Sequence, residues 1–249
     1  MTSISETGHV KNVANYGELV SYVTGYGNTY NPSKPAIKLA ALQTLFTAAD
    51  DSIKEVNNVT NAYSLAVDAR EQGFLPLSKF STAVLNALKA TDATVQEIED
   101  ANSIIRKIQG TRATPKKTEE EKQALLAQGK EVKEISASQM SYDNRLNNLD
   151  KLHKLLANIP VYTPNETELT VQAIKATFTD LTLKNKAVID TTVTLSNSRI
   201  NRNNILYNPT TGMLSVVTAV KKYIKSIYGA ASPQYKQLSK LVFKKPKTK

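Results

Sequence analysis

Leu42-Gln-Thr-Leu-Phe46-Thr-Ala-Ala49-Asp-Asp-Ser-Ile53-Lys-Glu-Val56-Asn-Asn-Val-Thr60 is the stretch that decides the fold. Apolar or small residues return at Leu42, Phe46, Ala49, Ile53, Val56 and Thr60, and the series runs on through Tyr63 and Val67 to Arg70. Steps of alternately four and three residues place all of these positions on one helical face, in a heptad-like, coiled-coil-like stripe. The spacing predicts one long helix over residues 34–72, ended by Gly73, with Pro32 and Pro35 before or within its first turn.

The same stripe occurs again. Ile174, Phe178, Leu181, Asn185, Val188, Thr192, Leu195, Arg199 and Arg202 follow an equivalent series, and residues 30–89 lie over 162–221 at an offset of 132 with no gap. Tyr30-Asn-Pro32 falls on Tyr162-Thr-Pro164, Phe46 on Phe178, Thr60 on Thr192 and Arg70 on Arg202. An internal repeat fixes architecture before anything else. Phe46 and Phe178 are expected in the core of their respective copies, and the paired arginines are expected to anchor loops.

Around these long helices the pattern stays helical. A stripe from Leu77 to Ile108 predicts a helix starting near Pro76 and stopping at Gly110, and a matching one runs from Met213 to Ile227. Gly110-Thr-Arg-Ala-Thr-Pro-Lys-Lys117 has the composition of a linker, and Thr118-Glu-Glu-Glu121 is a capping box predicted to open a helix reaching Ala157. Shorter helices are expected over 13–26 and 234–242. The Thr-rich Asp190-Thr-Thr-Val-Thr-Leu-Ser196 is the only β-prone segment, and the stripe passes through it. The expected fold is all-α: an elongated bundle of two pseudo-repeated units of about 100 residues. The expected organisation is a flexible start over 1–12, units over 13–110 and 142–243, a linker and the start of a connecting helix over 111–141, and a basic tail over 244–249.

Composition removes several function classes. With 41% hydrophobic and 22% charged residues the chain resembles an ordinary globular protein. It has no Cys, hence no disulfide, thiolate nucleophile or Cys-based metal site. The two histidines are His9, in the start expected to be mobile, and His153, an ordinary helix-face position. There is no GxxxxGK[ST], GxGxxG, GxSxG or calcium-loop pattern. The carboxylate clusters Asp50-Asp51, Glu97-x-Glu99-Asp100 and Glu119-Glu-Glu121 fit exposed helix surface or the positive end of a helix. No catalytic, cofactor or metal residue is predicted. The polar start and the lack of a long apolar run lead to an expectation of a cytoplasmic protein.

Charge is the strongest functional signal. Net charge is +10, and from Thr191 to Lys249 there are 11 Lys and Arg and no Asp or Glu. Arg199, Arg202, Lys221, Lys222, Lys225, Lys236, Lys240, Lys244 and Lys245 are the candidate polyanion contacts. Lys221, Lys222 and Lys225 fall on the face opposite Val217, Val220, Ile224 and Ile227. Tyr207, Tyr223, Tyr228, Tyr235 and Phe243 are interleaved with them. Clustered cations displace counterions from phosphates, and aromatic rings offer stacking faces to unpaired bases. The plainer alternative is a solvated lysine face over a tyrosine-containing core.

Arg199-Ile-Asn-Arg-Asn-Asn-Ile-Leu-Tyr-Asn-Pro-Thr-Thr-Gly212, with Val220-Lys-Lys-Tyr-Ile-Lys-Ser-Ile-Tyr-Gly229 and Ser232-Pro-Gln-Tyr-Lys-Gln-Leu238, resembles a group of uncharacterised helical proteins of Bacteroidetes bacteria. The resemblance is clear over about the last 55 residues and extends to the rest only in pattern. It implies a bacterial, all-helical protein and brings no activity, cofactor or site residue. The expected function is a non-enzymatic structural or macromolecular-interaction protein, with a protein partner or self-association. Nucleic-acid binding through 191–249 is the alternative, and a membrane-active bundle a minor one.

Overall fold

The computed structural model describes residues 7–111, 118–129 and 140–245. Among these, every regular element is helical: α1 (Thr7–Gly25), α2 (Leu39–Phe74), α3 (Leu77–Lys89), α4 (Val95–Gln109), α5 (Glu119–Ala127), α6 (Tyr142–Ala157), α7 (Val171–Tyr207), α8 (Met213–Tyr228) and α9 (Pro233–Lys240). The chain is all-α. Single 3-10 turns at Pro35–Ile37 and Thr167–Leu169 precede the two long helices α2 and α7.

The chain forms two compact units. A terminal unit comprises residues 1–63 and 191–249, and a central unit comprises 64–190. The boundaries fall inside α2 and α7, so these units cut across the sequence segments 13–110 and 142–243, each drawing on both. Length explains this: helices of 36 and 37 residues carry far more stripe than one core absorbs.

In the terminal unit, Tyr16, Leu19 and Val23 of α1 pack with Leu42, Ala49 and Ile53 of α2, Leu206 and Tyr207 of α7, and Val217, Val220 and Ile224 of α8. Leu238 of α9 and Leu241 beyond it close this core. Val56, Val59 and Leu195 form a smaller cluster with Tyr63. In the central unit, Leu149, Leu152 and Leu156 of α6 pack with Phe74, Leu77, Leu88, Ile105 and Ile108, and with Ile174 and Leu181 of α7. Burying each such side chain contributes about 1.5–3 kcal/mol, so these clusters carry most of the stability of each unit.

Several element boundaries differ from expectation, each for a local reason. The first long helix begins at Leu39, because Pro35–Ile37 makes its own turn and Lys38 is extended. Gly73 does not end it; the helix continues to Phe74 and stops ahead of Pro76, since the residue before a proline is driven out of the helical region. Gly73 is instead a packing position. A Cβ there would lie 2.9 Å from Lys184 Cδ and 3.0 Å from Leu181 Cδ2.

The helix expected over 76–108 is two helices. Thr94 starts α4 with a reciprocal cap: Thr94 N donates to Glu97 Oε2 (2.7 Å) and Glu97 N donates to Thr94 Oγ1 (3.3 Å). Gly110 ends α4 in the left-handed region at φ 71°. Nor does one helix run from Thr118 to Ala157. The Thr118–Glu121 capping box is present, yet α5 ends at Ala127, and α6 starts anew at Tyr142, where Ser141 Oγ accepts from Asn144 N (3.2 Å). Residues 112–117 of the expected linker lie outside the described residues.

At the start of the chain, α1 begins at Thr7, within the segment expected to be flexible, and His9 and Asn12 are buried. Phe46 and Phe178 are half-buried, packed against their cores without being enclosed by them. The Phe46 ring lies on Gly17, where a Cβ would come within 2.8 Å of it.

Candidate polyanion-binding surface

The helix α8 is amphipathic in the expected sense. Val216, Val217, Val220 and Ile224 are buried, while Ile227, placed by the wheel on the same face, is 42% exposed. Lys222 and Lys225 are exposed on the opposite side. Ser232 Oγ caps α9 by accepting from Tyr235 N (3.1 Å). One buried residue, Leu238, seats α9 and leaves Lys236 and Lys240 exposed.

Lys221 differs from its neighbours. It is half-buried, donates Nζ to the Leu241 carbonyl (2.7 Å) and lies 5.3 Å from the Phe243 ring centre. Burial pushes its pKa down. It fastens the segment after α9 and is not a free surface cation. Two asparagines of α1 complete that fastening. Asn12 Nδ2 donates to the Lys244 carbonyl (2.8 Å) and Asn12 Oδ1 accepts from Lys244 N (3.1 Å), so one side-chain amide pairs with one main-chain residue on both sides. Asn15 Nδ2 donates to the Val242 carbonyl (2.8 Å). Leu241 to Lys245 thus form an extended strap along α1 and α8, from which Lys244 and Lys245 project into solvent.

The two arginines part company with the lysines. Arg202 is 1% exposed and donates Nε and Nη2 to Asn203 Oδ1 (3.2 and 3.0 Å), which removes it from any surface contact set. Arg199 is half-buried. In the central unit Arg70, 132 positions earlier, donates to Asn185 Oδ1 (3.2 Å) and stacks at 4.0 Å on the Tyr142 ring. It contacts helix side chains and does not tie down a loop. Arg145 bonds helix ends, donating to the carbonyls of Ile108 in the last turn of α4 (3.2 Å) and of Phe74, the last residue of α2 (3.3 Å).

The aromatic residues are committed to packing. Tyr207 is buried: its hydroxyl accepts from Asn12 Nδ2 (3.0 Å) and lies 2.8 Å from His9 Nδ1. Tyr223 meets Tyr30 edge-on at 5.3 Å and accepts from Asn31 N (3.1 Å), and Tyr228 meets Tyr26 at 5.6 Å. Lys225 sits 5.9 Å from the ring centre of Tyr235. Tyr223, Tyr228, Tyr235 and Phe243 keep partial exposure and border the lysines.

Sequence reasoning missed Lys34 and Lys38. Both are exposed at the Pro35–Ile37 turn, which packs against α8 and so brings two cations from the N-terminal part of the chain to the lysine-bearing helix. No charge run marks them. Among the described residues the carboxylates pair with neighbouring lysines: Asp50 and Asp51 with Lys54, Glu119 with Lys122, Asp150 with Lys154, Asp180 with Lys184, and Asp190 with Lys186. Among the described residues no group of three or more His, Asp or Glu is placed to hold a metal ion, and no helix is long and apolar enough to cross a membrane. No family model, curated protein or solved structure matches the chain.

Proposed function

We propose that this chain is a non-enzymatic helical interaction protein whose terminal unit binds a polyanion, nucleic acid being the partner. One observation carries the reading. Residues 1–63 and 191–249 hold 15 Lys and Arg against 5 Asp and Glu, whereas residues 64–190 hold 17 against 17. The whole net charge of +10 belongs to one compact unit. Exposed Lys34, Lys38, Lys222, Lys225, Lys236, Lys240, Lys244 and Lys245 supply the cations, and the half-exposed tyrosine rim suits a strand with accessible bases.

The architecture proposed beneath this function is a duplicated helical unit. Pro35–Ile37 and Thr167–Leu169 occupy positions 132 apart, as do the starts of α2 and α7. Tyr30 donates its hydroxyl to the Ile37 carbonyl, and Tyr162 donates to that of Leu169, at the same offset. Duplication followed by charging of one compact unit gives a protein with a binding part and a neutral part.

Fluorescence anisotropy with single- and double-stranded oligonucleotides across a salt series tests the reading. Binding should weaken by about 10³-fold or more between about 50 and 200 mM salt if six or more phosphates are engaged. Replacing Lys222, Lys236 and Lys240 with Gln should weaken it and lower the salt slope by about one per lysine that contacts phosphate. Lys221 is left intact because its loss would release the strap. No binding at low salt, or binding confined to anionic vesicles, would overturn the nucleic-acid reading.

A further inference from the structure

Both cores are divided between the two ends of the chain. Call residues up to Gly129 the leading half and residues from Met140 the trailing half. The core of the terminal unit takes ten of its buried residues from the leading half and nine from the trailing half. The core of the central unit takes eight from each. α2 and α7 enforce the division, since each places side chains in both cores: Leu42 and Phe74 from α2, Ile174 and Leu206 from α7. Each apolar cluster among the described residues draws on both halves. Separation would uncover the faces that the 18 leading-half residues of the two cores share with the trailing half, a surface that water drives toward the one partner shaped to cover it.

Of the link between the halves, the described stretch 118–129 places no residue in either core. α5 has no buried residue, and Gly129 ends its following turn exposed at φ 69°. That stretch of the connection is therefore separate from the packing that unites the halves.

We infer that the leading and trailing halves are obligate partners held by shared cores and the hydrogen bonds around them, and that a second copy of this chain supplies the same partner in trans. Two chains that fold together exchange halves: the leading half of one completes both cores with the trailing half of the other. Every buried contact of the monomer is reproduced in the exchanged dimer, so its formation depends on concentration during folding and on the reach of the link, with no new interface required. The inference is independent of the polyanion reading.

The test uses the full chain with a protease recognition sequence inserted directly after Gly129. Cleavage of the folded monomer should leave a particle of unchanged mass, 27.3 kDa plus the insert, with full helical circular dichroism. Its melting temperature should now rise with concentration, where that of the uncut chain does not. Separation of the halves at micromolar concentration, or loss of helicity on cutting, would overturn the inference. Refolding the uncut protein from denaturant at rising concentration, from micromolar to millimolar, should yield a growing dimer fraction. Cutting that dimer after Gly129 should halve its mass, because the two exchanged particles are joined only through their links. A dimer that survives cutting is a surface association, and refolding that yields monomer at every concentration denies exchange in trans. Either result refutes the proposal.

Discussion

The terminal and central units are made from the same kinds of helix and differ in almost everything those helices carry. Nine of the eleven tyrosines and the entire net charge lie in the terminal unit. The central unit is neutral, its buried α6 face is Leu146, Leu149, Leu152 and Leu156, and its Lys–Asp pairs sit one helical turn apart on the surface. On α1 the corresponding buried positions are Val13, Tyr16, Leu19 and Val23. Exposed pairs of this kind contribute little to stability but cancel charge locally. The terminal unit lacks that cancellation beyond residue 190, and its tyrosines bring hydroxyls that must find partners indoors. One unit is therefore built for packing, and the other combines packing with an uncompensated field.

The largest effect that separates them is electrostatic. Gln at Lys222, Lys236 and Lys240 should cost about tenfold or more in oligonucleotide affinity at low salt. The same change at exposed Lys79, Lys89 and Lys151 of the central unit should leave affinity within about twofold. Equal losses from both triplets, read by anisotropy, would dissolve the distinction.

Packing comes next. Leu149→Ala, at a position with no exposure, should destabilise by about 2–5 kcal/mol in denaturant titration. Tyr16→Phe, 133 positions earlier, removes only a hydroxyl donating at 3.3 Å to the Leu42 carbonyl and should cost about 1 kcal/mol. A reversed order would mean that polar contacts, not apolar burial, support the terminal unit. Asn12→Ala lies between these two. It strips Lys244 N and the Lys244 carbonyl of their partner and should cost about 1–3 kcal/mol, with faster proteolysis of the last residues.

The smallest effect at neutral pH becomes visible only in alkali. Burial pushes the Tyr16 and Tyr30 hydroxyls well up, Tyr16 further through Tyr30 and Tyr30 further through Tyr223, and burial holds Tyr162 at about 12. An unfolded tyrosine ionises near about 10. Because the folded values are raised, the stability linked to them is complete below about pH 10 and is lost as pH rises through the folded values. Melting temperature should hold steady up to about pH 10 and then fall. Phenolate absorbance should show the buried tyrosines ionising late, mostly from the terminal unit. Full phenolate absorbance by about pH 11 in a chain that is still helical would contradict this assignment.

Much of the architecture was legible because helical periodicity is a local signal. The stripe from Leu42 to Val67 and its counterpart from Ile174 identified the two long helices. Thr94-Val-Gln-Glu97 caps α4 in the structure, but Val95 and Ile98 continue the apolar stripe across it, which hides the boundary from periodicity. Gly73 had the composition of a stop, whereas its role is set by Leu181 and Lys184, more than 100 residues away. The division of each core between both ends of the chain has no local signature, since it depends on which helices meet. The basic surface was half legible. Lysines after residue 191 form a visible run, but the burial of Arg202, the capture of Lys221 and the arrival of Lys34 and Lys38 all follow from tertiary packing.

In the strap after α9, Leu241 and Phe243 pack by their side chains, while the exposed Val242 and Lys244 are gripped by their backbone. Asn12, Asn15 and Lys221 hydrogen-bond to main-chain atoms of Leu241, Val242 and Lys244, while the side chains of Val242 and Lys244 are exposed. A clasp of that kind is indifferent to the side chains at those exposed positions. Mutation can therefore alter the charge of the strap freely over generations while its place on the protein stays fixed, so that the strength of the field can drift independently of the fold that presents it.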